Sequence, residues 1–342
     1  MTIIVYEGRE LTRAPQESVL ECLQRSGVPV PSSCRAGACQ SCLVRAVAGA
    51  PPPEAQKTLK DTLRTRGYFL SCVARPTEDL TVSLADAELR CAARVHSLSP
   101  LSPTVVRLRL CPEADFAYAA GQFLNLSRPD GLTRSYSLAS LPGRDPFLEL
   151  HIRLYPGGQM STYVQTLRPG DQVYLRGPAG DCFYVGGRPE QPILLLGTGT
   201  GLAPLYGIVQ EALRSGHRGP LVLLHGAARS DGLYLGRELR ELAAAHPNLT
   251  YLPSVLQLAA GPPAEDPPTA DVLEGALDAL LAARYPSLRG FRVFLCGSPE
   301  LVTALRKQAF LAGASRKDIA SDAFLTAPPA PVPPPPSATG GP

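Results

Sequence analysis

The pattern of apolar and polar residues changes twice along the chain and divides it into three parts. From residue 190 to 326, short apolar runs alternate with segments of helical period, which predicts a parallel sheet with helices on both faces. The predicted strands are Ile193–Leu196, Leu221–Gly226, Thr250–Val255 and Arg292–Cys296, and the predicted helices are Ala203–Ser215, Arg237–Ala245, Val272–Tyr285 and Pro299–Leu311. We therefore expect an α/β unit here.

Residues 88–188 have a different pattern, in which Gly and Pro separate short strands at regular intervals. This spacing predicts an antiparallel barrel. The predicted strands are Val105–Leu110, Phe123–Ser127, Tyr136–Ala139, Leu148–Leu154 and Gln172–Gly177.

Residues 1–85 are expected to form a small α+β unit, with Ser18 as a possible N-cap of its helix. Its predicted elements are the strands Thr2–Tyr6, Cys42–Ala48, Tyr68–Ala74 and Leu80–Leu84 and the helix Ser18–Ser26. Gly261–Pro268 is predicted to be a Pro-rich loop, and the proline-rich segment 327–342 an extended, disordered tail. The sequence thus predicts a multidomain α+β and α/β protein divided into residues 1–86, 87–188, 189–326 and 327–342.

Composition narrows the possible functions. The 342 residues are 44% hydrophobic and 18% charged, as in ordinary globular proteins, and a net charge of +3 is too small to indicate nucleic-acid binding. No apolar run is long enough to predict a membrane span, and the N-terminus lacks the features of a signal peptide. Nine cysteines without an export signal favour a reducing compartment. We therefore expect a cytoplasmic protein. We also expect it to be a monomer.

Four cysteines near the N-terminus form the most specific motif. Cys34, Cys39 and Cys42 follow a C-x4-C-x2-C spacing, and 29 residues separate Cys42 from Cys72. This spacing is typical of plant-type [2Fe–2S] ferredoxins. The loop between them has small side chains, and Gly37 can take the positive φ that a tight wrap needs. The alternative is a structural zinc site, since thiolates also suit Zn²⁺. The whole segment resembles the β-grasp fold of these ferredoxins.

The stretch Arg134-Ser135-Tyr136-Ser137-Leu138-Ala139-Ser140 is a second motif. It is similar to the R-x-Y-S-x-x-S flavin motif of the ferredoxin–NADP reductase family. In that role Arg134 would pair with the flavin diphosphate, Tyr136 would stack on the isoalloxazine ring and Ser137 would offer a hydroxyl near flavin N5. The alternative is an edge strand with a solvated arginine.

Two neighbouring segments strengthen the resemblance. The stretch Gly121-Gln122-Phe123 is like the family's G-Q-[FY] sequence, and the run from His151 to Ser161 is like its diphosphate segment. Glycines before a helix expose backbone N–H groups to phosphate. The residues expected to bind FAD are His151, Ile152, Arg153, Gly157, Gly158, Gln159, Met160 and Ser161. A site for a second phosphate favours FAD over FMN.

The nucleotide-binding residues are expected at the carboxyl ends of the parallel strands. Gly197-Thr198-Gly199-Thr200-Gly201 follows a buried strand and opens a helix, as a turn for a pyridine dinucleotide does. Cys296 and Gly297 end a later strand and resemble the family's segment beside the nicotinamide, although a buried strand-end thiol would also explain Cys296. Phe324 resembles the family's C-terminal aromatic residue near the flavin, and it could equally anchor the core.

The coenzyme preference is expected to depend on residues after the second strand of this part. Asp231 would repel the 2′-phosphate of NADPH, whereas Arg229 and Ser230 could bind it. NADH is therefore favoured over NADPH.

Residues 1 to about 326 together resemble the ferredoxin-first reductase components of bacterial multicomponent oxygenases. The resemblance implies that electrons pass from NAD(P)H through flavin and the cluster to an oxygenase or hydroxylase component, either a Rieske-type dioxygenase or a di-iron monooxygenase, or to another one-electron acceptor protein. Ser137 and Cys296 are the expected catalytic residues. The alternatives are a stand-alone iron–sulfur flavoprotein reductase of deoxysugar biosynthesis, and a redox-sensing or zinc-stabilised binding module.

Overall fold

The structure, a computed structural model, describes residues 2–85, 89–257 and 271–325. The predicted Pro-rich loop Gly261–Pro268 and the predicted tail 327–342 lie outside the described residues. Two compact units divide the described chain: the first ends at Ser83, and the second spans Leu84–Leu325.

The first unit is a five-stranded sheet with two short helices, of which the first has two turns. Its strands stand in the order β2-β1-β5-β3-β4, and β1 pairs parallel with β5. The first helix begins where expected because Ser18 and Glu21 form a capping box, and it buries Val19, Leu20 and Leu23. The elements are β1 (Thr2–Tyr6), β2 (Arg9–Arg13), α1 (Val19–Arg25), β3 (Leu43–Ala48), α2 (Asp61–Arg64), β4 (Tyr68–Leu70) and β5 (Leu80–Leu84).

The second unit begins with an antiparallel six-stranded sheet in the order β10-β7-β6-β11-β8-β9. A bridge between Leu138 and Leu150 joins its two outer strands, so that the sheet closes into the predicted barrel. The elements are β6 (Cys91–Ser102), β7 (Val105–Pro112), β8 (Phe123–Ser127), β9 (Thr133–Ser137), β10 (Leu148–Arg153), α3 (Gln159–Thr166) and β11 (Gln172–Ala179). The predicted strand at Tyr136–Ala139 thus starts three residues earlier and ends at Ser137.

The unit continues as a six-stranded parallel sheet in the order β15-β14-β13-β12-β16-β17. Helices cover both faces, since α4 and α5 pack in one core cluster and α6 and α7 in the other. The elements are β12 (Ile193–Thr198), α4 (Leu202–Arg214), β13 (Leu221–Ala227), α5 (Gly236–Ala245), β14 (Leu249–Val255), β15 (Leu273–Glu274), α6 (Leu277–Arg284), β16 (Arg292–Gly297), α7 (Pro299–Leu311) and β17 (Ile319–Ala323).

One predicted helix was wrong in its first half. The apolar spacing of Val272–Tyr285 predicted a single helix, but Leu273–Glu274 adds a strand to the sheet edge beside β14, and the helix begins only at Leu277. Gly275 lies between them with φ +134°, a conformation that other residues rarely adopt. The chain therefore changes direction at this glycine.

Two glycines let α4 pack closely on the barrel. A Cβ atom on Gly207 of α4 would lie 3.2 Å from the carbonyl oxygen of Leu138. A Cβ atom on Gly121, in the G-Q-F stretch, would lie 2.6 Å from the carbonyl oxygen of Cys182 and 2.8 Å from Ile208 of α4. The glycine of that motif thus serves the packing of the barrel against the parallel sheet's first helix.

Candidate functional site

The loop that carries three of the four motif cysteines is wound tightly. Arg35, Gly37 and Gln40 all have positive φ, at 53°, 73° and 58°. Such left-handed residues turn successive N–H groups to one side of the chain. The amide of Ala36 lies 3.3 Å from the Cys34 sulfur, and the Gly37 amide donates to Cys72. The predicted positive φ at Gly37 is present.

The four sulfur atoms lie in two pairs. The Cys34 and Cys39 thiols interact directly, as do those of Cys42 and Cys72, and all four residues are buried. Hydrogen bonding from Cys34 lowers the pKa of Cys39 to about 5, and bonding from Cys72 lowers the pKa of Cys42. Within the described ranges, no group of three or more His, Cys, Asp or Glu residues gathers around one metal position. Two thiol pairs fit a two-iron cluster better than one tetrahedral zinc ion.

The predicted flavin strand is β9, and it brings Ser137 to an acidic residue of the parallel sheet. Ser137 donates a hydrogen bond to Asp322 Oδ2 over 3.1 Å. Burial raises the pKa of Asp322 to about 6. The hydrogen bond from Ser137 lowers this pKa, but its effect is smaller than that of burial. Arg134 and Tyr136 lie on the same strand, and the ring of Tyr136 packs partly against the barrel core.

The predicted diphosphate segment forms a turn before α3. Gly157 has φ +69° and Gly158 is the N-cap of the helix, so that the amides of Gln159, Met160 and Ser161 stand in its first turn, where N–H groups have no partner within the helix. The Ser161 hydroxyl accepts a bond from the Tyr155 amide over 2.9 Å, and the Met160 side chain is part of the barrel core. Gly157, Gly158 and the helix start therefore suit a phosphate through the backbone rather than through the Met160 side chain.

The three residues before this turn have different environments. Ile152 is fully buried in the barrel core, and only its backbone could face a cofactor. His151 is also buried and bonds Glu149 and Tyr234. Arg153 is exposed, and its Nη1 atom lies near the glycine-rich turn, 3.5 Å from where a Cβ of Gly199 would be. Of the three side chains, only Arg153 is placed to meet a phosphate group.

The glycine-rich turn lies beside the carboxyl end of β16. A Cβ atom on Gly201 would lie 2.4 Å from the Cys296 carbonyl oxygen, and one on Gly197 would lie 3.1 Å from it. Gly199 has φ +53°, and Gly297 packs against Thr198 with φ +143°. Thr200 is partly exposed in the same turn. These contacts require glycine and bring the turn close to Cys296 and Gly297.

Cys296 itself is a buried thiol, 1% exposed, whose sulfur lies 3.7 Å from that of Cys182. Burial raises its pKa well above the ordinary value, and Cys182 and Asp322 raise it further. A thiol in this state is a poor nucleophile. Phe324 follows β17, and its amide donates to the carbonyl of Gly297 over 2.8 Å.

The structure therefore brings Ser137, Cys296, Gly297 and Phe324 to one place, where Asp322 joins them. Asp322 was not predicted from the sequence, although it stands two residues before Phe324, because its partner Ser137 is 185 positions away. Arg229 lies elsewhere, two residues after the end of β13. Its Nε atom lies 3.8 Å from Asp231 Oδ1, and both side chains are largely exposed.

Three family models match the chain in order. The 2Fe-2S iron-sulfur cluster binding domain matches residues 4–77, the oxidoreductase FAD-binding domain residues 93–184 and the oxidoreductase NAD-binding domain residues 195–307. The folds and sites thus define an NAD(P)H-dependent iron–sulfur flavoprotein oxidoreductase, with a [2Fe–2S] cluster and FAD as its cofactors.

Similar proteins narrow this class. The ferredoxin–NAD(P)⁺ reductase component of the naphthalene 1,2-dioxygenase system of Pseudomonas putida is 33% identical over 315 residues, which cover 90% of this chain and 93% of that protein. The reductase subunit of an aromatic O-demethylase of Amycolatopsis is 35% identical over 322 residues, covering 87% and 90%. A crystal structure of an Amycolatopsis cytochrome P450 reductase superposes with a TM-score of 0.66 at 29% identity, covering 95% and 99%. The chain belongs to the family of ferredoxin–NAD(P)⁺ reductase components of oxygenase systems, and it transfers electrons from NAD(P)H.

No helix among the described residues is long and apolar enough to cross a membrane. The nine cysteines, all within the described ranges, form no disulfide.

Proposed function

We propose that this chain is the reductase component of an oxygenase system and that its [2Fe–2S] cluster is the exit for electrons to an oxygenase or hydroxylase component. The observation that carries the proposal is the pairing of the four buried cysteine sulfurs in a chain that also holds flavin and nucleotide sites. A hydride delivers two electrons and the cluster accepts one, so a flavin is needed between them.

The residues would divide the binding of the cofactors as follows. Cys34, Cys39, Cys42 and Cys72 would hold the cluster. Arg134, Arg153 and the turn at Gly157–Ser161 would hold the FAD diphosphate, with Tyr136 beside the flavin ring. The turn at Gly197–Gly201 would hold the diphosphate of the coenzyme. Ser137 would offer its hydroxyl at the flavin, oriented by Asp322, and Cys296 would shape the nicotinamide site without acting as a nucleophile.

We make three further proposals about the chain. Domain boundaries at 86/87 and 188/189 agree with β5 ending at Leu84, β6 starting at Cys91, β11 ending at Ala179 and β12 starting at Ile193. We also propose that the chain acts as a monomer. We also propose a location in the cytoplasm, because a reducing compartment would keep the four motif cysteines available for the cluster.

The acceptor can be tested by reconstitution. The purified protein is mixed with NADH and, in separate reactions, with the terminal component of a Rieske dioxygenase, a di-iron hydroxylase or a cytochrome P450 oxygenase, each with its aromatic substrate. We expect NADH-dependent product with at least one of them, because the cluster delivers single electrons to a protein. NADH oxidation that occurs with a sugar-nucleotide dehydratase and its substrate, and with none of these oxygenases, would instead support the deoxysugar alternative.

We also propose that NADH is preferred over NADPH, because Asp231 lies in the turn that follows β13, where the ribose of the coenzyme would be selected. Asp231→Ala should raise kcat/KM for NADPH by roughly threefold to tenfold, since it removes a charge that is exposed and partly screened. Arg229→Ala, the matched variant of opposite charge, should lower kcat/KM for NADPH. Steady-state kinetics with both coenzymes measure this, and a higher kcat/KM for NADPH in the wild type would refute the preference.

A further inference from the structure

A buried polar cluster joins the barrel to the parallel sheet. Glu149 and His151 alternate along β10 with Leu148 and Leu150, which point into the barrel core. The alternation predicts that Glu149 and His151 face solvent, yet they are only 6% and 3% exposed. They are buried because residues of the parallel-sheet part, including Tyr234, cover this face of the barrel.

The charges around Glu149 and His151 determine which of their atoms carry a proton. Burial raises the pKa of Glu149, but His151, Arg107 and Arg109 outweigh it and lower the pKa to about 2. Arg109 Nε lies 2.8 Å from one oxygen of Glu149, and Arg107 Nε lies 3.2 Å from the other. Burial lowers the pKa of His151, so the imidazole is neutral at pH 7. Its Nε2–H therefore donates to the Glu149 carboxylate over 3.0 Å, which leaves Nδ1 as an acceptor.

The donor to that nitrogen is Tyr234. Its hydroxyl lies 3.2 Å from His151 Nδ1, and its ring stands nearly perpendicular to the rings of both His151 and His225, at 87° and 81°. His225 lies on β13 directly opposite Gly197, the first residue of the glycine-rich turn. Tyr234 thus packs between His151 of the barrel and His225 of the strand next to the glycine-rich turn.

Tyr234 also lies in the segment that is proposed to select the coenzyme. The segment runs from Arg229 to Leu235, and Leu235 has φ +57°, which a leucine adopts only where its surroundings hold it. The helix that follows, α5, makes a second contact with the barrel, because Glu238 Oε1 lies 3.9 Å from Arg107 Nη2. The start of α5 and the segment before it are therefore held by the barrel rather than by local sequence preference.

We propose that Tyr234 is a positioning residue for hydride transfer. Its hydrogen bond to His151 holds the 229–235 segment against the flavin barrel, so that a bound coenzyme reaches the flavin. This inference rests on the proposed function, in which the barrel holds FAD and the turn holds NADH.

The test compares two tyrosines that make the same bond. Tyr251 Oη lies 3.2 Å from His225 Nδ1, the same distance and atom types as in the Tyr234–His151 pair, but both partners belong to the parallel sheet. Tyr234→Phe removes the bond to the barrel and Tyr251→Phe removes the bond within the sheet. Each variant loses one hydroxyl and keeps its ring, so that general losses of stability are matched.

We expect Tyr234→Phe to raise KM for NADH and lower the limiting rate of flavin reduction, together by about tenfold in kcat/KM, the factor for one buried hydrogen bond. The long-wavelength charge-transfer absorbance of nicotinamide stacked on flavin should weaken in anaerobic stopped-flow traces. FAD and iron content should stay at wild-type levels, and Tyr251→Phe should change kcat/KM by less than twofold.

Equal effects of the two variants, no effect of Tyr234→Phe, or loss of FAD from Tyr234→Phe would each overturn the inference. Loss of FAD would show that the tyrosine only maintains the fold. A wild-type protein whose flavin is reduced by neither NADH nor NADPH would refute the proposed function instead, and the two failures are thus distinguishable.

Discussion

Replacing Cys42 by alanine should abolish electron delivery to protein acceptors and leave the reduction of ferricyanide by NADH nearly unchanged. Cys42 is buried and paired with Cys72, so the change removes one ligand of a two-iron cluster and leaves Cys72 without its partner. Ferricyanide is small and takes electrons from flavin directly, whereas cytochrome c should depend on the one-electron exit of the cluster. The expected loss with cytochrome c is on the order of 10²-fold or more.

The matched control is Cys111→Ala. Cys111 lies half-buried on β7 of the barrel, outside the cysteine motif, and its loss should alter neither activity. Iron analysis should give two atoms per chain in the wild type and in this control, and a strongly reduced amount in Cys42→Ala. Wild-type protein that contains zinc, or a Cys42→Ala protein that still reduces cytochrome c at the full rate, would contradict the account.

Most of the cysteine site could be predicted from the sequence because three of its four cysteines lie within nine consecutive residues, and only Cys72 is distant. The spacing of Cys34, Cys39 and Cys42 indicates which kind of metal centre they can bind. Gly37, between them, has the predicted positive φ. The capping box of α1 and the strand–turn–helix at Gly197–Leu202 are local in the same sense. Each was therefore visible in fewer than a dozen consecutive residues.

The segment from His151 to Ser161 shows the opposite case. A match to a family segment assigns a role to every residue in it, although a strand sends alternate side chains to opposite faces. Ile152 continues the apolar series of Leu148 and Leu150, and its side chain is in the barrel core. Met160 is buried there too. The alternation alone could have separated Ile152 from Arg153.

Long-range packing accounts for what the sequence could not show. Glu149 and His151 follow the pattern of solvent-facing strand residues, and only the assembled parallel sheet buries them. The strand β6 was not predicted because Cys91–Ser102 lacks a clean alternation and contains Pro100; in the structure its register with β7 shifts twice. Tertiary pairing, rather than local preference, makes this segment a strand.

The second large effect is expected from Asp322 and Ser137, whose hydrogen bond joins β9 of the barrel to β17 of the parallel sheet. Ser137→Ala should slow flavin reduction by NADH about 10- to 100-fold, the usual range for one positioned group at a reacting centre. Asp322→Asn should slow it less, because an amide oxygen can still accept the bond from Ser137. The matched control is Ser135→Ala. Ser135 lies on β9 with Ser137 and donates its hydrogen bond to Asn125 of β8 over 2.8 Å, so its loss should leave the rate unchanged.

The pH profile distinguishes positioning by a carboxylate from a packing role. Burial raises the pKa of Asp322 to about 6, so the carboxyl is neutral at pH 5 and ionised at pH 8, and only the ionised form accepts the Ser137 hydroxyl strongly. The wild-type rate of flavin reduction should therefore rise with pH through about 6. Because the bond from Ser137 lowers that pKa, Ser137→Ala should move the inflection upward, and Asp322→Asn should remove it.

The contribution of Asp322 to the stability of the fold should fall as pH rises, whereas the rate of flavin reduction should increase. The folded-state pKa of Asp322 lies above its ordinary value of 3.8, so the stability that this group contributes is complete below about pH 4 and is lost as pH rises through 6. At pH 8 the buried carboxylate costs stability, and Asp322→Asn should melt no lower than the wild type. A slower flavin reduction in a variant of equal or higher Tm, with FAD still bound, can then be assigned to the site. An inflection that persists in Asp322→Asn, measured by anaerobic stopped flow from pH 5 to 8, would assign it to another group.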